Sequence, residues 1–408
     1  MDQAVTHSHL TGHPGAPERV THPRGLLGIG ESEYRAGRPK RALGPLVEAT
    51  RRFEAAGDLA GQLEALLLAG RAARDLGQLE DATSYVERAL ALSREICDSS
   101  AEIEALNLSA GLLSSKGDEP GALSRLEFAL GKARELGLNE RQAELLSNMG
   151  QLAMRVGDPQ QAIECLREAL ATVEGAGRES RTQAATLTNL GHLHRDLGEL
   201  ATAKEYYTRA REVGRAIADQ MVEVVALNSL ANVLGLESEW ALARQLFHEA
   251  LAMARGLGFR QYEIDNLDGL GDAHSALGEA DRAVKTHLEA FKLARNMGDS
   301  AGQLDALLKI GRNLVLLRRA SEALTFLTAA LEAATRGQRT VQLAAVHEAL
   351  SQAHEELGDL TKALHHQREL RAAEKSLFDQ KCQRLIAQKG AFCALVRAGH
   401  GARDGDAS

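Results

Sequence analysis

The sequence predicts an all-α fold, an extended solenoid of about nine helix hairpins, on three observations. Strong helix formers dominate the composition, with aromatics at 3% and only 7 prolines in 408 residues. One alanine recurs nine times at nearly constant spacing. Small and large apolar residues keep fixed columns around it.

Length agrees with an extended stack. A single core stops growing at roughly 250–300 residues. No sustained alternation rich in Val, Ile and Thr marks a strand. The repeat is seen in the words RAGRPKRA, DLGQLEDA, RVGDPQQA, DLGELATA and ELGDLTKA, each a glycine followed by a polar stretch and an alanine. The alanines are Ala42, Ala82, Ala122, Ala162, Ala203, Ala243, Ala283, Ala323 and Ala363, spaced by 40 with one step of 41. Twelve residues earlier only small residues occur, such as Gly30, Gly70, Ala110, Gly191 and Ser351. Four residues before those stands leucine, from Leu26 to Leu307, and then His347.

Each unit reads as two helices. Leu187, Leu190, Leu193 and Leu197 keep helical spacing, as do Ala203, Tyr206, Tyr207 and Ala210, and a turn at 196–200 containing Gly198 parts them. Gly facing Ala lets two backbones approach. One hairpin cannot bury its apolar face alone, so neighbours must stack.

These columns resemble the tetratricopeptide repeat; in the fifth unit the matches are Leu187, Leu190–Gly191, Ala203, Tyr207 and Ala210. The family's tryptophan is replaced by leucine and its late proline is missing. The spacing of 40 exceeds the common 34, which resembles the long-repeat subgroup of LGN/Pins-type adaptors, kinesin light chains and bacterial regulatory and sensory proteins. The resemblance implies a right-handed superhelix over about residues 24–370, whose first helices line a concave groove for a protein or peptide ligand.

The ends differ. Residues 1–23, with Pro14, Pro17, Pro23 and four histidines, have no means of burying a core and read as a disordered tail. The ninth unit is degraded, with His347, Ser351 and Leu370 in the repeat columns, as befits the end of a stack. Residues 371–397 read as a C-terminal capping or docking helix, and 398–408 as a second tail. Over 361–397 there are 8 Lys and Arg against 3 Asp and Glu. Leu370, Leu377, Leu385 and Phe392, with Phe378, recur near a step of seven, so a short coil giving a homodimer is the alternative to capping. Arg368, Leu370, Glu374, Leu377, Phe378 and Asp379 also resemble the junction at which bacterial sensory arrays pass into a cyclase or kinase, but no such module follows.

Charge and motifs narrow the function. Net charge is −8 with both signs interspersed, so no basic stripe for nucleic acid is present. No apolar run approaches the roughly 20 residues of a membrane span. The N-terminus lacks a signal-peptide core, and a cytoplasmic location is expected. Cys97, Cys165, Cys382 and Cys393 are scattered and read as small buried residues, neither disulfide framework nor zinc site. No P-loop, GxGxxG, HExxH, GxSxG or EF-hand signature occurs. The pairs His192/His194, His274/His287 and His365/His366 are not spaced for a metal. Neither enzyme activity nor a cofactor is expected. The Asp and Glu pairs at i, i+4 read as a solvated face.

The resemblance implies which first-helix positions face the groove. They place Arg71 and Arg74 there, then Asn107, Asn148, Gln151 and Arg155, then Asn189, His192 and Arg195, and finally Asn228 and Asn232. Asp268 and Asp272 fall in the same columns one unit further on. Asparagine both donates to and accepts from a peptide backbone, and arginine grips a carboxylate in a fork. An extended peptide suits that face. Lysines are missing from the places used by chaperone-tail clamps. Two uses remain: a scaffold or adaptor, or a regulatory module for a separate cyclase, kinase or transcription factor.

Overall fold

The computed structural model describes residues 22–401, with Lys381 and residues from 384 onward described by backbone alone. Eighteen helices and no strand occur among the described residues. They are α1 (Pro23–Arg35), α2 (Pro39–Ala56), α3 (Leu59–Asp75), α4 (Leu79–Glu95), α5 (Ser99–Ser115), α6 (Glu119–Glu135), α7 (Asn139–Val156), α8 (Pro159–Glu174) and α9 (Arg181–Asp196). Then follow α10 (Leu200–Ala216), α11 (Gln220–Leu236), α12 (Trp240–Leu257), α13 (Arg260–Ala276), α14 (Ala280–Met297), α15 (Ser300–Leu316), α16 (Ala320–Arg336), α17 (Thr340–Glu356) and α18 (Leu360–Gly401). Odd-numbered helices are the first of each hairpin and even-numbered ones the second, giving nine hairpins at the places the alanine columns predict.

The chain divides into two compact units, Met1–Leu152 and Ala153–Ser408, and the division falls within α7. In the first unit α1 to α6 form three hairpins, and α7 enters a fourth. Core residues Leu27, Ala42, Leu46, Ala49 and Phe53 pack with Ala65, Ala69 and Ala72 of the next first helix. In the second unit Ala231, Ala243, Phe247 and Leu251 pack in the same way on Leu267 and Leu270.

The columns act as predicted. Ala203, Tyr207 and Ala210 are fully buried on α10, opposite Leu187 and Leu190 on α9. A Cβ on Gly191 would strike the Tyr207 ring, so glycine there makes the close approach. Each buried leucine contributes about 1.5–3 kcal/mol. Within each unit first helices also touch the next first helix: α1–α3 and α3–α5 in one, and α9–α11, α11–α13, α13–α15 and α15–α17 in the other. Among the described residues no comparable contact joins successive second helices. A stack drawn closer along one edge is concave there, so the first helices line each unit's concave face.

Local chemistry sets the ends of the helices. Asp58, Asp98, Asp118 and Asp158 cap their helices by accepting from a backbone N–H three residues on. The residue ending most helices is left-handed. Glycine fills that role at Gly198, but Ala218, Ser238 and Arg318 hold φ of 54°, 64° and 59°. Left-handed backbone costs an L-residue about 1–2 kcal/mol. Ala218→Gly and Ser238→Gly are each expected to raise stability by about 0.5–1 kcal/mol, allowing for the greater freedom of glycine in the unfolded chain. Urea midpoints check this; an unchanged or lowered midpoint would refute it.

Three observations depart from expectation. The C-terminal helix is continuous with the second helix of the ninth hairpin, since α18 runs for 42 residues without a break at 370. Cys97 is exposed, and Cys165 and Cys382 are half-buried, so none is a buried packing residue. Cys97 sits in a turn at φ 58°, where its side chain faces solvent. Many ion pairs reach across hairpins, as in Lys204–Glu237 and Arg244–Glu279, and do not run along one helix. The tails at 1–23 and 398–408, the side chains of Leu385 and Phe392, and Cys393 lie largely outside the described residues.

Candidate functional site

In the first unit the concave face is a charge and amide network. Arg71 on α3 donates to Glu104 on α5 at 2.7 Å, and Arg141 on α7 donates to the other oxygen of Glu104 at 3.1 Å. Asn148 Nδ2 donates to Asn107 Oδ1 at 2.7 Å, a pairing across 41 residues that the repeat period creates. Arg74 bonds its neighbour Asp75, which also accepts from the Tyr34 hydroxyl at 2.7 Å. Desolvation and then that carboxylate push the Tyr34 phenol up to about 12. Gln151 is exposed.

In the second unit Arg155 is exposed on the last turn of α7. Asn189 on α9 is half-buried, and its amide finds no hydrogen-bond partner among the described residues. His192 lies one turn further on, edge-on to Tyr207 with centroids 5.5 Å apart, and its Nε2 is 3.4 Å from Ser229 Oγ. Burial, and then Arg195, hold the imidazole below its ordinary value, so it is neutral at pH 7. Arg195 is turned onto Asp196 at 2.7 Å. Asn232 donates to Asn228 Oδ1 at 3.0 Å, and Asn228 donates to Asn266 Oδ1 at 3.1 Å. Asn266, fully buried, passes its own N–H to the Tyr262 carbonyl at 2.7 Å. All the predicted asparagines but Asn189 are thus joined to another amide, as a pair in the first unit and as a directional chain in the second, where each link polarises the next. Thr188, in a groove column, is buried and bonds back to the Ala184 carbonyl, so it displays nothing.

The face continues into Asp268 and Asp272 of the groove columns, joined by two residues that the columns did not single out, Lys309 and His287. Asp268 and Asp272 on α13 both accept from Lys309 Nζ on α15, each at 2.6 Å. Below them lies His287 of α14, fully buried. Desolvation pushes His287 down to about 4 and Asp265 up to about 6. A signal existed in the sequence: His287 stands in the column that elsewhere holds Leu46, Val86, Leu126, Leu166, Tyr207, Phe247 and Leu327. Among the described residues no three His, Cys, Asp or Glu side chains are placed to hold a metal ion. None of the described helices is long and apolar enough to cross a membrane.

Among the described residues, nine hairpins with a small-residue seam and a first-helix concave face define a helical-repeat protein. A tetratricopeptide-repeat family profile matches residues 141–216 and 222–296, and a second tetratricopeptide profile matches 63–96. Residues 63–96, 141–216 and 222–296 therefore carry tetratricopeptide repeats. No curated protein sequence matches it. Among solved structures it resembles a signal transduction ATPase with numerous domains, carrying a tetratricopeptide repeat sensor, from Pyrococcus horikoshii. There the identity is 15% over 83% of this chain and 54% of that one, with TM-score 0.61. The chain therefore spans about half the length of that ATPase. It also resembles a Rap protein complexed with competence and sporulation factor, at 16% identity over 88% and 99% of the two chains, TM-score 0.56. Aspartyl phosphate phosphatase F from Bacillus subtilis is similar at 12% identity over 90% and 96%, TM-score 0.56. Likeness at these identities is a likeness of fold.

Proposed function

We propose that the chain is a non-catalytic interaction protein that holds an extended peptide or a helix of a partner protein against the concave faces of its first helices. The observation that carries this reading is the Asn189 amide, half-buried on the concave face with its donors and acceptor unspent, beside the Asn232–Asn228–Asn266 chain. An amide that is open to solvent and bound to no other side chain can pair with a ligand backbone without giving up an internal bond.

Asn189→Ala is the clean test, because it breaks no internal bond. It is expected to weaken partner retention at least tenfold at unchanged melting temperature. The combined Asn148→Ala, Asn189→Ala and Asn228→Ala variant should abolish retention while helicity by circular dichroism persists. The measurement is affinity purification with mass spectrometry. Retention at wild-type level by the triple variant sinks the reading.

Within it, a regulatory or sensory role is favoured over a structural adaptor. The similar folds include a Rap protein solved with competence and sporulation factor and an ATPase whose repeats are named a sensor. Recovery of a kinase, cyclase or transcription factor supports regulation, and recovery of transport or structural proteins supports the adaptor. Self-association through α18, where Phe378 is 67% exposed, is read by light scattering; a monomer at high concentration discards it.

A further inference from the structure

The concave face of the second unit changes character between α11 and α15. Beyond the amides come four carboxylates, Asp265, Asp268, Asp272 and Asp305, and among them one ammonium, Lys309. Lys309 Nζ takes Oδ2 of both Asp268 and Asp272, at 2.6 Å each. Their Oδ1 atoms lie over the ring of His287, 3.6 Å from Nδ1 and 3.7 Å from Nε2. His287 is fully buried, and neither ring nitrogen has a hydrogen-bond partner. Arg312, the next cation along α15, is committed to Glu348 at 2.7 Å. Asp265 is held by the Gln261 amide at 3.3 Å. Asp268 repels each of the other three carboxylates.

The arrangement is short of positive charge. Four carboxylates meet one ammonium and a neutral imidazole, with the Arg312 and Arg339 charges felt by Asp272 and Asp305. At 3.6 and 3.7 Å neither nitrogen hydrogen-bonds its carboxylate, so the ring spends no donor on the pair. The two Oδ1 atoms keep their accepting capacity on carboxylates that are 34% and 39% exposed. An apolar residue at 287, as Phe247 and Leu327 are in the neighbouring hairpins, would avoid the orphaned nitrogens; the polar ring instead lets two carboxylates stay side by side. No metal ion answers the deficit, since no three ligands among the described residues converge.

We propose that this station on α13 and α15 takes a cationic side chain of the partner segment, and a guanidinium in preference to an ammonium. The inference rests on the reading that a partner lies along this face. A guanidinium presents five donors in a planar fork that suits carboxylates set side by side, whereas an ammonium duplicates Lys309 as a point charge. Lys309 is then the resident competitor that a partner arginine partly replaces.

The test uses the full chain and fluorescein-labelled hexa-arginine, hexa-lysine and hexa-glutamate peptides, followed by anisotropy at about 0.15 M salt, where non-specific attraction to the acidic chain is screened. Hexa-arginine should bind at least tenfold tighter than hexa-lysine, and hexa-glutamate not at all. Asp268→Asn with Asp272→Asn should cost hexa-arginine tenfold or more. The charge-matched Glu205→Gln with Glu212→Gln, on the outer helix α10, should cost less than twofold. Lys309→Met should strengthen hexa-arginine severalfold, a change no misfolded variant would give. The imidazole proton resonance of His287 should move on addition of hexa-arginine alone. Equal losses in the two paired variants, or no gain in Lys309→Met, overturns the station. If the asparagine variants keep their partner while hexa-arginine still depends on Asp268 and Asp272, the groove reading fails and the station stands. If the asparagine variants lose the partner but Asp268→Asn with Asp272→Asn leaves hexa-arginine unchanged, the station alone fails.

Discussion

Phe247→Ala is expected to remove about 3–5 kcal/mol of stability from the second unit. Phe247 is 1% exposed on α12 and fills the space opposite Gly269 of the next hairpin. A Cβ on that glycine would strike the Phe247 ring, so the cavity left by alanine is bounded by backbone. Backbone of a helix cannot collapse inward without breaking its own ladder, so the void persists and the cost sits high in the range. The loss should be local, because each hairpin contacts only its neighbours. Amide hydrogen exchange should show α11 to α13 losing protection while α16 and α17 keep theirs. Uniform loss over the unit would show that it folds as one cooperative block.

His287→Leu is expected to do the opposite at neutral pH. It removes two buried nitrogens without partners and restores the apolar column, for a gain of about 1–2 kcal/mol. The larger effect is in acid. The groups facing His287 are Asp268, Asp272 and His274 on α13 and Lys309 on α15. Desolvation outweighs the attraction of Asp268 and holds the folded-state value at about 4, against roughly 6.5 in the unfolded chain. The unfolded state therefore binds the proton first, and stability falls as the pH is lowered from about 6.5 to 4. The loss approaches about 3 kcal/mol from this one group. Urea titrations at pH 7, 5.5 and 4 should show the difference between wild type and His287→Leu widening by that amount. A constant difference would mean that the ring is not held neutral.

The fold was legible because its determinants are short-range and repeated. Nine alanines, the small-residue column and the leucines between them state a hairpin whose backbones nearly touch, and α1 to α17 follow them. What the columns lacked was pairing. Asn107 and Asn148 stand 41 residues apart and in different columns, yet they bond, because the stagger of successive first helices sets one amide beside the other. Periodicity assigns a face but not a rotamer, so it could not separate Asn189, with its amide unspent, from Asn228, which is held on both sides. His287 was visible as an exception within its column, but the meeting of its two nitrogens with two carboxylates needed coordinates. The length of α18 was missed for a different reason. Nothing between 360 and 401 breaks the helix once Leu360 has opened it.

The closeness of first helix to first helix has a mechanical meaning. In the second unit the bonds between hairpins on that side, Asn228 to Asn266 and Lys309 to Asp268 and Asp272, cross the gaps that would widen if the stack were straightened. They act as ties in tension, while the outer helices, which scarcely meet, offer little resistance to bending. The unit is thus a leaf spring with its stiff side inward. A strand laid along that side and gripped at several hairpins would share the load with the ties, so that straightening the stack would work against the grip and loosening the grip would soften the spring.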